Sequence, residues 1–99
     1  MENVLMMHEK DNVAICLKDA VANESVIVEK KSDLSKYNIT LINDIPFAHK
    51  IALNDVAKGE LIIKYGEIIG RATQNIKTGE WAHIHNVEST RARGDQHVK

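Results

Sequence analysis

The residues best suited to chemistry lie near the C-terminus, in the run Glu80-Trp81-Ala82-His83-Ile84-His85-Asn86. Two imidazoles stand two positions apart, with a tryptophan two before them. Read as a strand, side chains alternate between faces, so Trp81, His83 and His85 share one side while Ala82 and Ile84 point into a core. Two imidazoles on one face can ligate a transition metal or hydrogen-bond an anion. The competing reading is an exposed strand that happens to carry two histidines, because short His-x-His matches are common. A third imidazole, His49, lies in Phe47-Ala48-His49-Lys50. In the run Ile62 to Gly70, Lys64 lies within a strand of otherwise apolar, β-favouring residues. Its stem can follow the sheet to water, or its ammonium can meet a carboxylate. His8 and His97 are read as bystanders, Tyr65 as packed, and Cys16 as a buried small hydrophobe.

A repeated phrase supplies the elements that must position these groups. It reads Asp19-Ala20-Val21-Ala22-Asn23-Glu24, Asp55-Val56-Ala57-Lys58-Gly59-Glu60 and Asn75-Ile76-Lys77-Thr78-Gly79-Glu80, with an altered copy Asp44-Ile45-Pro46-Phe47-Ala48-His49. Asp or Asn is expected to cap a short helical turn, the next apolar residue to enter the core, and Gly or its stand-in to supply a positive φ. A β-rich run follows. His49 therefore occupies the position that holds Glu in the other copies. Strands are expected at Val4 to Met7, Val13 to Leu17, Ser25 to Lys30, Ile39 to Ile42, Lys50 to Leu53, Leu61 to Tyr65, Ile69 to Thr73 and Trp81 to His85. Gly66 and Gly70 predict a hairpin loop of about four residues. Helical signals are confined to single turns near Asp19–Ala22 and Asn54–Lys58, and no window carries a sustained 3.6-residue apolar stripe. The expectation is a mostly β domain over 1–90 and a polar tail over 91–99, with the polar character beginning at Glu88.

Ninety-nine residues make one domain. Lys+Arg of 13 against Asp+Glu of 14 gives a net charge of −1, and four aromatics are too few for a base-stacking platform, so nucleic acid is not an expected partner. A lone cysteine excludes an intrachain disulfide and a cysteine-based zinc site. The N-terminus lacks the apolar run of a signal peptide, and no stretch approaches the ~18 apolar residues of a membrane span. A cytoplasmic location and no membrane partner are the expectation. Gly-rich phosphate cradles, Gly-x-Ser-x-Gly elbows and a Cys–His–Asn pattern are absent. The chain reads as part of a site rather than all of one.

Asp11-Asn12-Val13-Ala14, His49-Lys50-Ile51-Ala52-Leu53, Ile63-Lys64-Tyr65-Gly66-Glu67, Ile69-Gly70 and His83-Ile84-His85-Asn86 together carry a family resemblance. Over roughly residues 8 to 95 the chain closely resembles the small N-terminal module of the altronate/galactarate dehydratase family. Ala48 stands where that family has Gly, and Trp81 where it more often has a smaller residue. The resemblance implies an SAF-like β-clip fold with one or two short helical turns. It implies a free-standing small subunit, inactive alone, that works with a separate large catalytic subunit. The family also includes sulfolactate sulfo-lyase, whose small subunit looks similar. The implied activity is a carbon–oxygen or carbon–sulfur lyase that eliminates water or sulfite from a small anionic 2-hydroxy acid. The implied cofactor is a divalent metal, typically iron. His49, His83 and His85 are then the catalytic candidates, His83 and His85 the metal candidates, and Lys50, Lys64 and Asn86 the substrate-binding candidates. The alternative is a stand-alone SAF-type binding module that grips a small anion or a partner protein. Homo-oligomerisation is compatible with either.

Overall fold

A computed structural model describes residues 3–90 of the chain. Their named elements are all strands: β1 (Val4–Met6), β2 (Val13–Cys16), β3 (Ser25–Lys30), β4 (Lys36–Thr40), β5 (Lys50–Ala52), β6 (Leu61–Lys64), β7 (Glu67–Ala72), β8 (Trp81–Ala82) and β9 (Val87–Ser89). They form a six-stranded sheet, β4-β3-β1-β2-β5-β8, and a three-stranded sheet, β6-β7-β9. Only the β1–β3 pair is parallel. This is the mostly β, β-clip-like architecture expected from the sequence.

The repeated phrase is one backbone device used four times, and the copies work in pairs. In each copy the apolar residue after the Asp or Asn forms an isolated bridge with its partner copy, Ala20 with Ile45 and Val56 with Ile76. The Asp or Asn caps the partner's turn rather than its own. Asp19 Oδ1 accepts from Phe47 N and Asp44 Oδ1 from Ala22 N, while Asp55 Oδ1 accepts from Thr78 N and Asn75 Oδ1 from Lys58 N. Each phrase closes a tight turn, Glu24 N to Val21 O, His49 N to Pro46 O, Glu60 N to Ala57 O and Glu80 N to Lys77 O. The third turn residue has a positive φ throughout: Asn23 73°, Ala48 71°, Gly59 92° and Gly79 88°. The helical turns expected at Asp19–Ala22 and Asn54–Lys58 are these β-turns, because a positive φ at the third position stops a helix at one hydrogen bond.

The device also explains the copy that lacks its glutamate. Glu24, Glu60 and Glu80 each turn Oε1 back to accept the N–H three residues earlier, from Val21, Ala57 and Lys77. In the altered copy that earlier residue is Pro46, which has no N–H to offer. The carboxylate is not needed there, and the position is open to an imidazole.

Two apolar clusters flank the central strands. Ala14, Cys16 and Ile51 belong to one, with Trp81 packed against it, whereas Val13, Ala52 and Ala82 belong to the other. Adjacent residues of β2, β5 and β8 thus enter different cores, so these strands are buried on both faces and carry near-continuous apolar sequence. Cys16 is buried as expected.

Several local expectations are corrected. β4 begins at Lys36 and ends at Thr40, displaced from the expected Ile39 to Ile42, because its pairing runs from Ser25–Thr40 to Glu29–Lys36. The β6–β7 hairpin has a two-residue turn at Tyr65 and Gly66, at φ 57° and 76°, as a type I′ turn requires. Tyr65 is therefore exposed at the tip rather than packed. Gly70 lies inside β7, where a Cβ would come 2.6 Å from the Glu88 carbonyl oxygen. Glu88 belongs to β9, which pairs with β7, so the chain is still in a sheet where a tail was expected. Residues 91–99 of the expected tail lie outside the described residues.

Candidate functional site

The site grows out of one pairing. β5 and β8 are antiparallel with Ile51 opposite Trp81 and Lys50 opposite Ala82. One step further along that register sets His49 against His83. Trp81 then becomes the diagonal neighbour of His49 on the same face, at a distance aromatic rings can bridge. The ring centroids are 4.9 Å apart for His49 and His83, and 5.7 Å for His49 and Trp81. The Trp81 indole N–H donates to His49 Nδ1 at 3.2 Å.

The expected strand through His85 ends at Ala82 instead, and residues 83–86 form a turn. Asn86 is the cause. Its Oδ1 accepts from His83 N and its Nδ2 donates to Trp81 O, both at 2.9 Å, while Val87 N donates to His83 O at 2.9 Å. These bonds fold the chain back before a strand can continue. Ile84, expected in the core, is thrown outward at 84% exposure. His83 and His85 still converge on one aromatic: His83 stacks on Trp81 at 5.0 Å and 8° between planes, and His85 lies at 5.3 Å. Trp81 is thus a hub around which three imidazoles gather. Its backbone is fixed as well, by Asn43 Oδ1 accepting from Trp81 N at 2.9 Å.

Asn86, expected to meet substrate, is fully buried with both ends of its amide engaged by the backbone of this turn. Lys50 projects from the opposite face of β5 to His49 and lines a cavity of about 260 Å³ with Ile69, His83, Ile84, Val87 and Ser89. His83 is the residue common to the imidazole cluster and the cavity. Ile69 reaches the cavity wall at a point where the β6–β7 register shifts between Ile62 and Ile63; such irregularities re-aim a side chain. Ile69, Val87 and Ser89 were missed from sequence. The signal that could have found the last two is the short alternation Val87-Glu88-Ser89, of which Glu88 and Ser89 are read in sequence as the start of the polar tail. Lys64 lies with its Nζ 4.9 Å from the Tyr65 ring centroid.

The electrostatics favour an anion. Burial pushes the Lys50 ammonium below the usual lysine range, and the nearby Lys64 charge pushes it the same way. Burial likewise lowers His83, followed by the charges of His49, Lys50 and His85. No carboxylate is among the residues that line the cavity. Among the described residues, no group of three or more histidine, cysteine, aspartate or glutamate side chains is placed to hold a metal ion. His49 Nδ1 is moreover taken by the indole N–H. A divalent metal held by His83 and His85, as the resemblance implies, would need further ligands from outside the described residues, and no step below is routed through one. No helix of the described residues is long and apolar enough to cross a membrane.

Asp11 and Asn12, part of the motif that carries the resemblance, prove to be clamps between segments. Asp11 is buried and accepts from His8 N and Gly66 N; Asn12 donates to Leu61 O and accepts from Ile63 N. They hold the β6–β7 hairpin, and with it Lys64, against β2.

Comparison with known proteins places this geometry. The altronate dehydratase of Escherichia coli (strain K12) is 37% identical over 93 residues, 94% of this chain and 18% of that protein. The altronate dehydratase of Bacillus subtilis (strain 168) is 34% identical over 91 residues, 90% of this chain and 17% of that protein. The (2R)-sulfolactate sulfo-lyase subunit alpha of Paracoccus pantotrophus is 38% identical over 60 residues, 61% of this chain and 90% of that subunit. The chain thus spans less than a fifth of the length of the dehydratases it matches. A family model described as the altronate/galactarate dehydratase SAF domain matches residues 2–90, the sheet, paired turns and histidine cluster included. The chain belongs to the altronate/galactarate dehydratase SAF domain family.

Proposed function

We propose that this chain is the small component of a two-component lyase that eliminates water, or sulfite, from a 2-hydroxy acid such as altronate, galactarate or sulfolactate. The observation that carries the reading is His83, held by Trp81 and Asn86 and shared between an imidazole cluster and a cavity that Lys50 lines. The relatives supply the reaction class: dehydratases of which this chain matches a small part, and a sulfo-lyase alpha subunit of which the match covers 90%.

The elimination takes a proton from the carbon next to a carboxylate and expels the leaving group from the neighbouring carbon. The electron pair of the broken C–H bond becomes the new C=C bond, and the pair of the broken C–O or C–S bond leaves with water or sulfite. The enol product then tautomerises to a keto acid. His83, held neutral by burial and by neighbouring positive charge, is suited to take a proton near neutral pH. Lys50 and Lys64 offset the charge that builds on the substrate carboxylate as the proton departs. His85, exposed at the edge of the cluster, is suited to shuttle protons. A larger catalytic partner completes the site and supplies the further ligands that a metal at His83 and His85 would need, since the described residues gather no group of three donors.

The test is reconstitution. The chain is purified with the candidate large component, and keto-acid or sulfite release is measured on altronate, galactarate and sulfolactate. Turnover is expected only from the mixture, and His83→Gln is expected to lower it by about 10²-fold or more. Full turnover by this chain alone, or an unimpaired His83→Gln mixture, overturns the shared site. Anion binding that no large component turns into chemistry supports the stand-alone binding module instead.

A further inference from the structure

We infer that Trp81 is a positioning residue that fixes the tautomer of His49, with the ring proton on Nε2 and the lone pair on Nδ1. An indole N–H can only donate, so the nitrogen it meets must be an acceptor. The nitrogen it meets is His49 Nδ1, at 3.2 Å. A neutral imidazole carries one proton, which is therefore on Nε2.

The indole cannot easily turn away from this bond. Trp81 N is tied to Asn43 Oδ1 and Trp81 O to Asn86 Nδ2. Its ring is stacked on His83 at 8° and packs against the first core. If the His49 ring flipped, or moved its proton to Nδ1, a part-buried indole donor would lose its acceptor. Leaving such a donor unpaired is the costly half of breaking a hydrogen bond. The scaffold thus holds the donor still and makes the imidazole comply.

The consequence for chemistry rests on the proposed elimination, whereas the tautomer itself rests on geometry alone. With Nδ1 committed to the indole and the proton on Nε2, the free edge of neutral His49 is a hydrogen-bond donor. It suits a substrate oxygen or a departing hydroxyl. It does not suit proton abstraction from carbon, which leaves that role to His83. The two histidines that face each other across β5 and β8 are thereby made unequal.

Long-range proton–nitrogen correlation NMR on the ¹⁵N-labelled chain tests this without any partner or substrate, at about pH 8.5, where ordinary histidines are neutral. His49→Gln assigns the His49 signals by their disappearance. The expected wild-type pattern is a pyridine-like Nδ1 and a pyrrole-like Nε2 for His49. Trp81→Phe keeps an aromatic ring for His83 and removes the donor, together with part of the indole's bulk. It is expected to replace the single-tautomer pattern with an averaged one. A wild-type proton on Nδ1 overturns the inference, and so does a Trp81→Phe spectrum in which His49 is unmoved. If Trp81→Phe does not fold, the indole N–H resonance decides: in His49→Gln it is expected to move, and an unchanged position overturns the inference. Loss of dehydratase activity in any variant bears on the proposed function and not on these spectra.

Discussion

Gly79 and Gly59 occupy the same position in two copies of one turn, and replacing each with alanine separates backbone strain from crowding. Their φ angles are nearly equal, 88° and 92°. A Cβ at Gly59 meets nothing within 4 Å, whereas a Cβ at Gly79 comes 2.3 Å from Thr40 O and 3.3 Å from Ile39 Cγ2. Left-handed geometry costs an L-residue about 1–2 kcal/mol. Removing a glycine from the unfolded chain offsets about 0.4–1 kcal/mol of that. Gly59→Ala is therefore expected to destabilise by no more than about 1.5 kcal/mol. Gly79→Ala carries the same terms plus an overlap with a backbone carbonyl. Relieving it means moving a residue whose N–H donates to Ala52 O and whose carbonyl accepts from Ile42 N. Overpacking of this kind adds about 1–3 kcal/mol. At roughly 4–8 °C per kcal/mol for a domain of this size, the two midpoints should differ by about 5–20 °C, with Gly79→Ala the lower. The assay is urea and thermal unfolding followed by the fluorescence of the single tryptophan, which sits two residues beyond Gly79. Equal losses in the two variants, or a greater loss at Gly59, would show that the Thr40 contact does not govern the cost.

Ala48→Gly tests the same geometry from the other side: at φ 71° it should relieve strain and leave the domain equally or more stable, by up to about 1 kcal/mol, in the same unfolding assay. Ile84→Ala should change stability by less than about 0.5 kcal/mol, because the side chain is 84% exposed; a larger loss in a urea titration would return it to a core. Asn86→Ala should cost about 2–4 kcal/mol by stranding Trp81 O and His83 N, and near-ultraviolet circular dichroism should show Trp81 released. The His83 pKa is lowered on folding, so in acid the unfolded chain takes up a proton that the folded chain resists. Stability should fall as pH drops through and below about 6.5, and His83→Gln should flatten that fall; urea midpoints across this range check both the sign and the residue.

The turn device was legible in sequence because three of its residue types recur at fixed offsets, each with a local reason. Its pairing was not. The caps join residues 28, 22, 17 and 23 positions apart, and nothing in a single turn names its partner. The histidine run misled for a different reason. Alternation of polar and apolar residues fits a strand, but it fits equally a turn that turns His83 and His85 to Trp81 and sends Ile84 to water. The arbiter is Asn86, whose bonds are visible only once the chain has folded. The missing glutamate at position 49 was visible as a broken pattern, and its physical cause, the proline three residues earlier, was visible too. What sequence lacked was the hydrogen bond that links the two.

The paired turns decide where the site can exist. His49 closes the second turn of the first pair, and Trp81 directly follows the second turn of the second pair. Their meeting along β5 and β8 lies on the seam between two separately clasped halves. The first clasp is built from residues before Lys50, whereas the seam also needs residues from Trp81 onward. The histidine cluster is therefore a joint product of both halves: His49 comes from the first clasp, and Trp81, His83 and His85 follow the second.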